Sequence, residues 1–125
     1  MRNIIETVEA PSPIGPYSQA ICANGFIFVS GQIPLEPKTG QMVGGGLEPQ
    51  THQVIKNISA ILEAAGSNLN QVVKTTVFLV NLEDFSAFNR IYGDYFGGIK
   101  PARATVQVAR LPKDALLEIE VVALA

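Results

Sequence analysis

The sequence predicts an α+β layer fold in which two helices pack on one face of a mixed or antiparallel sheet. Three observations predict it. Asn24-Gly25 separates two strand-like runs, two segments of helical period each lie between strand-like runs, and a further strand pair closes the chain.

Ile4 and Ile5 open a short strand. Ala10-Pro11-Ser12-Pro13-Ile14-Gly15-Pro16 must be irregular, because three prolines within six residues remove backbone donors. Ser18 to Ala23 and Phe26 to Ser30 then flank Asn24-Gly25, a dipeptide that accepts positive φ and favours a type I′ hairpin turn. Gly31 to Gly46, with Pro34, Pro37 and Gly44-Gly45-Gly46, shows neither apolar period and reads as a long, functional or mobile loop.

Pro49 suits a first helical turn, and Val54, Ile58, Ile61, Leu62 and Ala65 follow at helical spacing until Gly66 stops the helix. Val72 to Val80 is β-branched and apolar on both faces in its second half, which predicts a central strand covered on both sides. Asp84 is placed to cap a second helix, along which Phe85, Phe88, Tyr92, Tyr95 and Phe96 form an aromatic stripe ending at Gly97-Gly98. Ala102 to Val108 and Leu116 to Leu124 are strands joined through Pro112 and Lys113, and an antiparallel pairing between them is expected.

The 125 residues suit a single domain spanning 1–125. An apolar share of 47% and a charged share of 16% are globular, and a mean hydropathy of +0.24 suggests more apolar surface than one small domain buries, hence a homo-oligomer. Nine basic residues against eleven acidic ones, with no basic stripe, argue against nucleic acid as a partner. One cysteine and one histidine exclude a disulfide framework and a Cys/His zinc site within one chain, and fit a reducing cytosol. No apolar run reaches membrane-spanning length and the first residues lack a signal-peptide core, so a soluble cytoplasmic protein is expected.

Alternation places Arg103, Thr105 and Gln107 on one strand face, with Ala104, Val106 and Val108 expected in the core. If the last two strands pair, Thr105 faces Glu120, with Arg103 diagonal to it. Glu118 and Glu120 share one polar face of their strand, Asn89 lies on the aromatic side of its helix, and Tyr17 and Ser30 sit at the ends of the first hairpin. Taken alone, each reads as a solvated or structural residue. Cys22 between Ile21 and Ala23 reads as a small buried hydrophobe, and His52, with no second His or Cys nearby, as solvent-exposed.

Five ordered blocks change that weighing: Ile14-Gly15-Pro16-Tyr17-Ser18-Gln19, Val29-Ser30-Gly31-Gln32-Ile33-Pro34, Val73-Lys74-Thr75-Thr76-Val77-Phe78, Pro101-Ala102-Arg103 and Val108-Ala109-Arg110-Leu111-Pro112. Together they resemble the Rid (YjgF) family over essentially the whole chain. The resemblance implies a fold like that of the small chorismate mutases, a homotrimer with a barrel-like centre, and clefts shared between subunits. It also implies hydrolysis of 2-imino acids such as 2-iminobutanoate and 2-iminopropanoate, or their enamine tautomers, to 2-oxo acids and ammonia, without cofactor or metal. On that resemblance Arg103 binds the substrate carboxylate, Glu120 carries protons, and Tyr17, Ser30, Gly31 and Asn89 line the cleft. Many relatives place Cys where this chain has Thr105, which removes any thiol chemistry there but keeps a hydrogen-bonding hydroxyl. A metabolite-binding regulatory role remains open beside the enzymatic one. A ribonuclease or translation-inhibitor role finds little support in the charge or in the lone His52.

Overall fold

Asn24 and Gly25 both adopt positive φ, 52° and 82°, and the turn they form closes an antiparallel hairpin of β2 (Ala20–Ala23) and β3 (Phe26–Gln32), with Ala23 opposite Phe26. This computed structural model describes residues 2–125. β1 (Arg2–Ile5) adds an antiparallel strand beside β2. The segment from Gly31 to Gly46 is less free than its composition predicts. β3 runs on to Gln32, Leu35 bridges Met42, and Asn57 and Gln50 donate side-chain hydrogen bonds of 3.0 and 3.1 Å to the carbonyls of Leu35 and Val43. The loop is thereby tied to the first helix.

That helix, α1 (Leu47–Ala64), buries Val54, Ile58, Ile61 and Leu62 on one stripe and is stopped at Gly66, whose φ of 81° most side chains resist. β4 (Val72–Leu79) leads through a short 3-10 turn into α2 (Phe85–Phe96), whose Phe88, Tyr92 and Phe96 are buried. Asp84 occupies the cap position without capping. Its backbone is already helical (φ −78°, ψ −3°), so its side chain does not turn back onto the first turn. Asn81 instead accepts from the Glu83 N–H at 2.9 Å and starts the turn one step earlier.

The six strands run in the order β1-β2-β3-β6-β4-β5, completed by β5 (Ala102–Gln107) and β6 (Leu117–Leu124). The last two strands do not pair with each other. A helix between two strands carries the chain back in its original direction, so β5 lies parallel to β4 at the sheet edge. β6 fills the slot between β3 and β4, antiparallel to both. Thr105 therefore sits opposite Val77, and Glu120 opposite Thr76 rather than Thr105.

Ile27, Val29, Val77, Leu79, Ile119 and Val121 point to the helices and merge with the α1 and α2 stripes into one core, so both helices do lie on one face. The register also reverses the expectation for β5. Arg103, Thr105 and Gln107 share the helix-side face with Thr75, Val77 and Leu79, while Ala104 and Val106 share the other face with Thr76 and Phe78. Among the described residues no helix covers that second face, so Val106 stays 44% exposed and Phe78 is only half-buried. β4 is an interior strand but lies beside the edge strand rather than at the centre, and it is covered on one side only. Ile4, Phe26, Phe28 and Leu124 also remain exposed on the uncovered face.

Cys22 packs half-buried against the core. His52 is half-buried rather than solvated, its Nδ1 2.6 Å from the Tyr95 hydroxyl across the two helices. No helix among the described residues is long and apolar enough to cross a membrane. Ile58 is fully buried between helix and sheet. Ile58→Ala should lower the unfolding free energy by about 2–5 kcal/mol, with an unchanged denaturant slope, in urea titrations.

Candidate functional site

The proline-rich segment is fixed by one buried amide. Gln19 accepts from the Thr7 N–H at 2.7 Å and donates to the carbonyls of Thr7 and Pro11 at 3.0 and 2.9 Å. This folds Ala10–Pro16 over the start of β2 and presents Tyr17, which is 51% exposed. Tyr17 in turn accepts at its hydroxyl from the Ile14 N–H, 3.3 Å away. Across β2, Ser30 donates its hydroxyl to the Ser18 carbonyl at 2.6 Å.

Beyond Val29 the β3–β6 ladder slips. Val29 faces Val121 but Gln32 faces Ile119, so β3 carries one extra residue at Ser30-Gly31. Such a bulge re-aims the side chains beside it. The result is a cleft of about 560 Å³ whose walls include Tyr17, Ser30, Gly31, Ile33, Pro112 and Glu118. Lys113 also lines it. Lys113 and Asp114 are both at positive φ, and their loop is held by a bidentate Arg110–Asp114 pair of 2.7 and 3.2 Å.

Glu118 is the carboxyl that meets Gly31. A Cβ on Gly31 would collide with the flexible end of the Glu118 side chain, with Cδ only 2.9 Å away, so glycine here leaves room for that carboxylate. Burial, and then the negative charge of Glu120, push the Glu118 carboxyl above its ordinary value of 4.5. Glu120 stands on the same sheet face one strand period further on, exposed, opposite Thr76 and outside the cleft lining. Both glutamates are legible as one polar strand face. The ladder sets the bulged pair Ser30-Gly31 opposite Glu120, yet it is the diagonal Glu118 that lies against Gly31 and lines the cleft, an outcome the local sequence pattern does not mark.

The other candidates form a second group. Arg103, on the edge strand β5, donates from Nη1 to Asn89 Oδ1 at 2.7 Å, and its guanidinium carbon lies 4.7 Å from the Tyr92 ring centre and 5.4 Å from that of Phe85. Two residues along the same face, the Thr105 hydroxyl is buried without a hydrogen-bond partner, alone in this among the described residues. A buried orphan hydroxyl is costly in a finished site and ready for a partner in an incomplete one.

The two groups do not meet within one chain. Arg103, Asn89 and Thr105 lie on the helix side at one edge. Tyr17, Ser30, Gly31 and Glu118 cluster at β3, three strands away, or on the order of 14 Å. No group of three or more His, Cys, Asp or Glu able to hold a metal ion occurs among the described residues.

Residues 7–125 match the protein family described as Endoribonuclease L-PSP. The mouse protein 2-iminobutanoate/2-iminopropanoate deaminase is 49% identical over 98% of this chain and 91% of its own length. The Rid-family protein YyfA of Yersinia pestis superposes with a TM-score of 0.97 at 55% identity, covering 100% of both chains. The E. coli protein TdcF with bound serine superposes with a TM-score of 0.93 at 42% identity, covering 98% of each chain.

A carboxyl whose pKa is raised in the folded state holds its proton longer folded than unfolded. It favours the fold fully below its ordinary value of 4.5, and that contribution is lost as pH rises through the raised value. Glu118→Gln should therefore flatten this fall and leave the protein more stable than the parent near neutral pH, read from urea midpoints between about pH 4 and about pH 8. Gly31→Ala should displace Glu118 from the cleft and bring its titration back down toward 4.5 while the fold persists, as followed by carboxyl-carbon NMR.

Proposed function

This chain belongs to the Rid (YjgF, endoribonuclease L-PSP) family, and from that premise we propose that it is a cytoplasmic, cofactor-independent deaminase. It hydrolyses 2-imino acids of the 2-iminobutanoate and 2-iminopropanoate class to 2-oxo acids and ammonium. The observation that supports the reading is that one chain carries two incomplete half-sites of complementary chemistry. One holds a fixed guanidinium beside an orphan hydroxyl, and the other a half-buried carboxyl with a raised pKa.

A homotrimer joins the halves in this proposal. Arg103, Asn89 and Thr105 of one copy then face Tyr17, Ser30, Gly31 and Glu118 of the next. The uncovered sheet face supports the assembly, because Phe26, Phe28, Val106 and Leu124 lie exposed there with no helix to bury them.

In the completed cleft the Arg103 fork grips both carboxylate oxygens of the substrate and fixes C2, while Thr105 bonds a substrate or water oxygen. The protonated imine makes C2 electrophilic. Glu118, ionised, takes a proton from water as the oxygen adds to C2. It then returns that proton to the nitrogen of the carbinolamine. As ammonia leaves, the remaining hydroxyl gives its proton to Glu118, which passes it to the ammonia. Imine cation and water thus become oxo acid and ammonium, with Glu118 restored. Glu118 has this role rather than Glu120 because it shares the cleft with Gly31 and Ser30. Glu120 acts on it through charge. The ribonuclease activity in the family's description is not favoured. The single histidine is engaged with Tyr95 between the helices, and the net charge is −2.

The test couples the protein to an amino-acid dehydratase and follows oxo-acid release. Arg103→Lys should lower kcat/KM by about 10- to 100-fold, the value of a charged hydrogen-bond pair. Glu118→Gln should lower kcat by about 100-fold or more and Glu120→Gln by much less. No acceleration over the dehydratase alone sinks the reading, and binding of 2-oxobutanoate without turnover would assign a metabolite-binding role instead. Phe28→Asp should convert the trimer to monomers in light scattering and abolish turnover together.

A further inference from the structure

We propose that Phe85 and Tyr92 are positioning residues for Arg103, an aromatic bracket on α2 that holds the guanidinium in its carboxylate-binding orientation before any substrate arrives. This rests on the reading of Arg103 as the anchor. Arg103 is exposed on an edge strand and makes no ion pair among the described residues, a setting in which an arginine side chain ordinarily samples many rotamers. Here two independent constraints act on it. The rings of Tyr92 and Phe85 lie 4.7 and 5.4 Å from the guanidinium carbon and set its plane. The Asn89 amide oxygen, 2.7 Å from Nη1, sets its rotation within that plane. Nε and Nη2 carry no partner among the described residues, so one fork edge stays free for two carboxylate oxygens.

The bracket is built from one helix stripe and one strand rung. Phe85, Asn89 and Tyr92 stand at i, i+4 and i+7 on α2 and so share a face. Tyr92 is itself fixed by a buried hydrogen bond of 2.8 Å to Thr75, and Thr75 is the residue directly opposite Arg103 in the β4–β5 ladder. The strand pair that carries the arginine thus also holds the ring beneath it. Burial raises the Tyr92 phenol above its ordinary value of 10.0, against the lowering effects of the Thr75 hydrogen bond and the Arg103 charge.

The bracket predicts a signature that ordinary core packing does not. Phe85 is half-buried at the first turn of α2, so Phe85→Leu should fold. With 2-imino acid generated in situ, Phe85→Leu should raise KM by about two- to fivefold, the share of a surface cation–π contact, with kcat nearly unchanged. Tyr92→Phe, which keeps the ring and loses only its bond to Thr75, should raise KM by less than Phe85→Leu does. In the Arg103→Lys background Phe85→Leu should add nothing, because the planar group it orients is gone. An equal KM factor in both backgrounds, or a folded Phe85→Leu protein with parental KM, overturns the bracket. If Arg103→Lys alone leaves turnover intact, the anchor reading fails first. Should Phe85→Leu not fold, the Arg103 Nε–H resonance gives a second readout through Phe85→Tyr. That variant retains a ring and should keep the ring-current shift, which its loss would contradict.

Discussion

The burial of one face of the sheet under two helices is the constraint on which the rest of this molecule depends. Ile27, Val29, Val77, Ile119 and Val121 make that contact with Val54, Ile58, Phe88 and Phe96. Because side chains alternate along every strand, committing these residues to the core commits their neighbours to the other face. Phe26, Phe28, Val106 and Leu124 are thereby left exposed, and the two carboxylates of β6 stand on the same uncovered face, Glu120 exposed and Glu118 half-buried. One packing choice thus creates both the uncovered apolar face and the polar positions on which the proposed chemistry would rest.

The same choice divides the candidate site. A guanidinium on the helix side of an edge strand and a carboxyl on the open side of a central strand are kept apart by the sheet itself. Each half is shaped in advance by local structure. The bulge at Ser30-Gly31 makes room for Glu118, and the loop closed by Arg110 and Asp114 walls it in. On the other side, Asn89 and two aromatic rings orient Arg103 while the Thr105 hydroxyl waits unpaired. Pre-ordering of this kind reduces the entropy lost when a small ligand binds.

Much of the fold was legible in the chain. Asn24-Gly25 announced its hairpin, the stripes from Val54 to Leu62 and from Phe88 to Phe96 announced two helices on one sheet face, and Gly66 announced a stop. Sequence also singled out Arg103, Tyr17 and Ser30 through motif blocks, and Asn89 and Thr105 through the faces they take and the family resemblance. Arg103 and Asn89 prove to be hydrogen-bonded to each other.

What the sequence by itself determined was the type of each element and the face each side chain takes relative to its strand neighbours, because both follow from backbone periodicity. Strand order and register belonged to the tertiary structure. The helix from Phe85 to Phe96 made β5 parallel to β4, and β6 entered between β3 and β4, which moved Glu120 opposite Thr76 and turned Val106 away from the core. β3 carries a single extra residue at Ser30-Gly31, and Glu118, not Glu120, lies against Gly31. Such choices are made by contacts between residues far apart in the chain, where local period is the same for either outcome and only the packing of the whole sheet distinguishes them.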